Sequence, residues 1–169
     1  MTMHHNAEPF LSKSLVYDTL DFTFQDVVAE KQSAEYDAYT FRLNGLNVLF
    51  RSAKITPKKT GQFVTLWKRL GNGPIMPFDA ADPIDLVVVS VKTATHYGQF
   101  IFPKDILLKR SIFTTACKDG KRAIRVYPLW DVTENAQAKR TQKWQLDYFV
   151  DLSLSKDFDE ERIRNLYSV

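Results

Sequence analysis

The run Leu86-Val87-Val88-Val89-Ser90-Val91 constrains this 169-residue chain more than any other stretch. Five of its six side chains are apolar, so at strand period both faces of the segment are apolar. Such a strand belongs in the middle of a sheet that is covered on both sides. It is far shorter than the ~20 apolar residues needed to cross a bilayer as a helix.

The segments around it alternate at period two. Residues 39–43 alternate, Asn44-Gly45 is a hairpin turn signal, and 46–55 resumes the alternation. A second turn at 56–61 leads to a third strand over 62–69, and Leu70-Gly71-Asn72-Gly73-Pro74 then breaks the pattern. Residues 97–102 read as another strand, and Lys118-Asp119-Gly120-Lys121 as a hairpin turn feeding a strand over 122–130. Helical patterns lie towards the ends. Leu11 and Leu15 lie four apart in a helix over 10–20, and Trp144 and Tyr148 do the same in a helix over 136–149. A polar turn is expected at 33–37, and Asp157-x-x-Glu160 resembles a capping box opening a last helix to Tyr167. The order predicts an α+β fold: one domain over 1–169, its central sheet mixed or mostly antiparallel and flanked by helices. The length suits a single core.

One cysteine, Cys117, leaves no disulfide within the chain and no multi-cysteine zinc site. MTMHHNAEPF lacks the charged start and apolar run of a signal peptide, so the expected compartment is the cytoplasm, without membrane association. His4, His5 and His96 form no recognisable metal or catalytic pattern.

The formal net charge of +3 hides a strong segregation: residues 51–150 carry 17 Lys and Arg against 8 Asp and Glu, a local charge of +9 between acidic ends. RSAKITPKKTGQFVTLWKR, residues 51–69, holds six bases and no acid. At strand period Arg51 shares a face with Leu49, Ala53 and Ile55, and Lys54 shares the other with Val48 and Phe50. Bases among apolar neighbours either snorkel to a rim or point into a groove. Lys58 and Lys59 project from the turn, while Lys68 and Trp67 belong to the third strand. Cations around an aromatic ring suit single-stranded nucleic acid, for they track phosphates while the ring stacks a base. Arg51, Lys54, Lys58, Lys59, Lys68 and Lys143 are therefore the candidate phosphate contacts, with Trp67 as the stacking candidate. The plainer readings are a solvated basic face and a core tryptophan. In the helix, Lys139 and Lys143 are expected outward at i,i+4, with Trp144 and Tyr148 inward.

Asp79, Asp82 and Asp85 precede the central strand, and Lys92 ends it. Carboxylates and a lysine at a strand edge are the parts of a Mg²⁺-dependent phosphodiesterase: acids hold the hard cation while the lysine positions the attacking water. Glu35, Asp85 and Lys92 are the candidate catalytic residues, and Asp85 the candidate metal ligand. Restriction-endonuclease-like PD-(D/E)xK folds carry (Asp/Glu)-x-Lys on such a strand. Here the triplet is Ser90-Val91-Lys92, and serine supplies no anionic ligand. Asp119-Gly120-Lys121 fits the triplet formally, but Asp-Gly suits a turn.

FRSAKITPKKTGQFVTLWKR, PFDAADPIDLVVVSV, GQFIFPKDIL, GKRAIRVYPLWD and QAKRTQKWQLDYF together resemble the MepB-like family of small bacterial proteins, over residues 35–149. That family takes its name from a protein encoded beside a multidrug efflux pump and its repressor, and its biochemistry is largely uncharacterised. The resemblance implies a restriction-endonuclease-like core and nucleic-acid binding. Catalysis is in doubt because of Ser90. The competing expectation is an accessory factor in efflux or stress response that binds a small molecule or a protein, its aromatics lining an apolar pocket.

Overall fold

The computed structural model describes residues 8–153 and 157–168; His4 and His5 lie outside the described residues. The chain opens with a turn of α-helix, α1 (Phe10–Ser12), that continues as a π-helical stretch over Lys13–Tyr17. β1 (Phe24–Ala29), a 3-10 turn over Ala34–Tyr36, β2 (Tyr39–Leu43) and β3 (Leu46–Ser52) follow. Next come β4 (Lys54–Thr56), β5 (Lys59–Thr65), β6 (Trp67–Lys68) and β7 (Met76–Pro77). β8 (Leu86–Lys92), β9 (Tyr97–Pro103) and α2 (Lys104–Lys109) lead to β10 (Ala123–Val126). α3 (Ala136–Gln145), a 3-10 turn over Leu146–Tyr148, β11 (Phe149–Asp151) and α4 (Glu160–Leu166) complete the described elements.

Six strands form one mixed sheet in the order β1-β2-β3-β8-β9-β11, and β5 lies between β10 and β4 in a second, three-stranded sheet. β8 pairs parallel with β3 and antiparallel with β9, so its apolar run has a neighbour on each side. Leu86 and Val88 face a cluster with Val16, Tyr17, Ile101, Ile163 and Tyr167. Val87, Val89 and Val91 face the other way, onto Leu49, Val64, Leu66, Phe100 and Val126. The helical segments near both termini thus cover one face, while the small sheet, α2 and α3 cover the other. The fold is α+β with a mixed sheet, as its element order predicts.

The hairpin β2–β3 turns at Asn44 and Gly45, with φ of 50° and 82°, the two left-handed positions of a type I′ turn. Other boundaries differ from the sequence expectation. The strand expected over 46–55 breaks after Ser52, which lets β4 and β5 swing out of the main sheet. Asp119-Gly120 joins no pair of strands, because β10 pairs with β5, some 60 residues earlier in the chain. The final helix is capped by Asp159, which accepts from the Arg162 amide, two residues beyond the expected Asp157. No described helix is long and apolar enough to cross a membrane.

Candidate nucleic-acid interface

The departure of β4 and β5 from the main sheet opens a cleft of about 790 Å³ between β5–β10 on one side and α3 on the other. Gly61 shapes one end of it. At φ +83° a side chain is disfavoured, and an added Cβ would stand 2.7 Å from the Tyr127 ring, so the absence of one lets Tyr127 lie on the turn. α3 starts at Asn135, whose side chain accepts from the Ala138 amide at 2.8 Å. Gln137, Ala138, Thr141, Trp144 and Gln145 recur at three- and four-residue intervals and form the helix wall of the cleft.

Two side-chain amides hold that wall in place. Buried Gln145 accepts from the Tyr127 amide at 2.9 Å and donates to the Arg125 carbonyl at 3.0 Å, so the helix takes the part of a neighbouring strand for β10. Gln142 donates to the carbonyls of Pro128 and Asp131, both at 3.0 Å. Burial pushes the Asp131 carboxyl up, against a hydrogen bond from the Gly61 backbone.

Lys58, Lys59, Arg110, Lys121 and Arg125 line the cleft, with Glu134 as the single acid. Among the described residues none of the five makes an ion pair. Phe63, Tyr127 and Trp144 supply aromatic surface. Arg125 lies over Phe63 with Cζ 5.9 Å from the ring centre, and Arg110 over Trp144 at 5.1 Å. α3 from Asn135 to Trp144 spans ~14 Å at 1.5 Å per residue. The cations come from several elements: Lys58 from the β4–β5 turn, Lys59 from the start of β5, Arg125 from β10, Lys121 from the segment before it, and Arg110 from the end of α2, over Trp144.

The structure sorts the residues expected to contact phosphate. Lys58 and Lys59 lie in the cleft. Arg51 does not reach any groove: it is fully buried, with Nη1 2.6 Å from the Glu30 carboxylate. Lys68 is spent between Asp79 and Asp82, at 3.0 and 2.8 Å. Burial alone would lower the Lys68 pKa, but hydrogen bonds to both carboxylates raise it, and Lys68 in turn holds the Asp79 carboxyl below its usual range. Lys54 is exposed but rests on the Tyr36 ring, 4.9 Å from its centre, outside the cleft lining. Lys143 is exposed, one position off the helix face that lines the cleft. Trp67 is half-buried beneath Arg69 in the β6–β7 pair, away from both the core clusters and the cleft.

The candidate nuclease residues do not assemble. Asp85 precedes β8 and Lys92 ends it, a separation of ~23 Å at strand rise, and the odd spacing puts them on opposite faces. Asp85 instead accepts from the Asn47 amide at 2.7 Å and pins the start of β3 to that of β8. Glu35 is exposed on the 3-10 turn that packs Tyr36 against Phe63. Among the described residues no group of three His, Cys, Asp or Glu could hold a metal ion together.

Sequence reasoning missed Arg110, Lys121, Arg125, Tyr127 and Trp144 as cleft residues. Their only signal was the excess of base over acid in residues 100–150, which names no surface. A smaller cleft of about 410 Å³ holds Phe41, Leu49, Phe78 and Ile84 under Asp26, Glu30 and Asp82, the last two already paired with Arg51 and Lys68.

A family model described as MepB-like matches residues 30–151. A crystal structure of MepB is 34% identical, with a TM-score of 0.76, and the match covers 86% of this chain and 98% of that one. No curated protein matches. With most of its length under that family model and a third of the aligned residues shared with that structure, the chain belongs to the MepB-like family.

Proposed function

We propose that the chain binds single-stranded nucleic acid in the cleft between β5–β10 and α3. The observation that carries this reading is the set of five cations, none of them ion-paired among the described residues, that line one cleft with a single acid and three aromatic rings. A solvated basic face would not converge on a concavity. Cations in a groove that also offers π surfaces are the combination that non-specific single-strand binders use. A duplex fits the site less well, because a cleft whose walls are joined by the Gln142 and Gln145 hydrogen bonds presents no protruding helix or ribbon to a groove.

The test is a titration of a fluorescent oligonucleotide at several salt concentrations. Five neutralised phosphates give a log–log slope of about −3.5 for a single strand, or roughly 100-fold weaker binding at 200 mM than at 50 mM salt. Replacing Lys58 and Lys59 together by Ala should cut the slope by about 1.4. Lys68→Ala should leave it unchanged, since that ammonium already faces two carboxylates. A flat salt response, or equal effects of the cleft and Lys68 variants, would overturn the proposal.

A further inference from the structure

Four arginines or lysines besides Arg110 lie over aromatic rings; two of them have other partners and two lie outside the cleft. Arg164 also pairs with Glu160 and donates to Leu20 O. Arg125 donates to Thr56 Oγ1 and to the carbonyls of Thr60 and Gly61. Lys54 and Arg69 sit outside the cleft lining, the first on Tyr36 and the second on Trp67. Arg110 is the stacked arginine that lines the cleft and whose guanidinium, among the described residues, is given to no carboxylate or carbonyl. It is exposed at the end of α2, while Trp144 beneath it is half-buried and backed by Phe102 at 5.5 Å and Tyr148 at 6.5 Å.

This geometry leaves one planar surface unused. The indole faces are occupied by Arg110 and by the core, so a base cannot stack on Trp144 without displacing Arg110. Arg110 itself is exposed and lines the cleft. Nucleobases stack on arginine planes as well as on aromatic rings, and a guanidinium already resting over a buttressed indole, 5.1 Å from its centre, needs little further ordering to receive one. We infer that Arg110, laid on Trp144, is a stacking platform for one unpaired nucleobase at the α2 end of the cleft. The inference rests on the nucleic-acid reading of that cleft and deepens it: the site takes a strand with exposed bases, not any polyanion. Double-stranded nucleic acid, its bases stacked on one another, offers nothing to such a platform.

The experiment compares two labelled oligomers of equal length and charge, one bearing bases and one abasic, against the full chain and its Arg110→Lys variant at one low salt concentration. Lysine keeps the charge and loses the plane. The wild-type chain should bind the base-bearing strand roughly 5- to 100-fold more tightly than the abasic one. Arg110→Lys should remove most of that difference and change abasic binding by less than about 2-fold. Thermal unfolding of the variant checks that the fold is intact. If the substitution weakens both oligomers equally, or the wild-type chain binds both alike, Arg110 is a point charge and the platform is overturned while the phosphate cleft stands. If neither oligomer binds, the nucleic-acid reading falls and the platform with it.

Discussion

The guanidinium of Arg51 is wholly out of water, held by the Glu30 carboxylate at 2.6 Å and by donations to the carbonyls of Phe50 and Thr65 at 2.9 and 3.2 Å. Removing one member of such a buried pair strands the other as an uncompensated charge, at a cost of ~3–5 kcal/mol. Glu30→Gln, which strands the fully buried guanidinium, is therefore expected to lose about that much in urea unfolding, and Arg51→Ala less, because the Glu30 side chain keeps 19% exposure to water. Arg51→Met with Glu30→Met should lose less than the sum of the single changes, because no charge is left behind. Losses below ~1 kcal/mol for the single changes would mean that the pair is open to water. Strand parity does place Arg51 on the face of Leu49, but parity carries no information about a partner that comes from the end of β1, 21 residues earlier. The snorkelling and groove-facing alternatives leave out the third possibility, a charge neutralised inside. Lys68 is the same case on a smaller scale: the acids it meets begin at Asp79, ten residues past the acid-free segment 51–69 that was conspicuous in the sequence.

At the scale of elements, Gln145 does for β10 what a neighbouring strand would do. Gln145→Ala leaves the Tyr127 amide and the Arg125 carbonyl without protein partners, at a cost of ~1–3 kcal/mol if water does not replace the side chain. Hydrogen exchange of the Tyr127 amide should quicken in that variant, while amides in β8 keep their protection; uniform acceleration would show that the effect is global and not a loosened wall. The elements legible in the sequence are those whose partners are near in the chain or whose pattern needs no partner. β8 announces itself by being apolar on both faces, and the β2–β3 hairpin by its alternation and Asn-Gly turn. β1 was invisible because an edge strand with a register shift and mostly exposed side chains has no alternation to read. The pairing of β5 with β10, which builds the cleft, joins residues some 60 apart, and no local periodicity encodes it. The candidate site was accordingly half legible: the β4–β5 turn supplied Lys58 and Lys59, and the other wall did not show.

For the molecule as a whole, segregation of charge along the chain became a smaller segregation in space, since Arg51 and Lys68 are neutralised and five other cations converge. The opposite face of the sheet is tied together by polar contacts. Glu8 accepts from Tyr97 Oη at 2.7 Å and from Ser12 Oγ at 2.8 Å, Gln99 donates to Ser12 Oγ at 2.6 Å, and Tyr167 Oη donates to Gln99 at 3.1 Å. This chain of contacts links the first described residue to α1, the central sheet and the end of α4. Burial pushes the Glu8 carboxyl up, more than hydrogen bonds from Tyr97 and Ser12 and the nearby Lys92 charge pull it down, with Asp37 adding to the rise. A carboxyl whose pKa is higher folded than unfolded contributes stability while it is protonated in both states. That contribution is lost as pH climbs from the unfolded value of 4.5 through the raised folded one. Glu8→Gln keeps the shape and removes the titration. The variant's stability relative to wild type should therefore rise as urea unfolding is moved from pH 5 to pH 8, and level off once Glu8 is ionised in both states. The comparison cancels every other group that titrates in the interval. A constant difference between the two proteins across that range would mean that Glu8 is solvated in the folded chain, and that the network closing this face of the sheet does not hold it out of water.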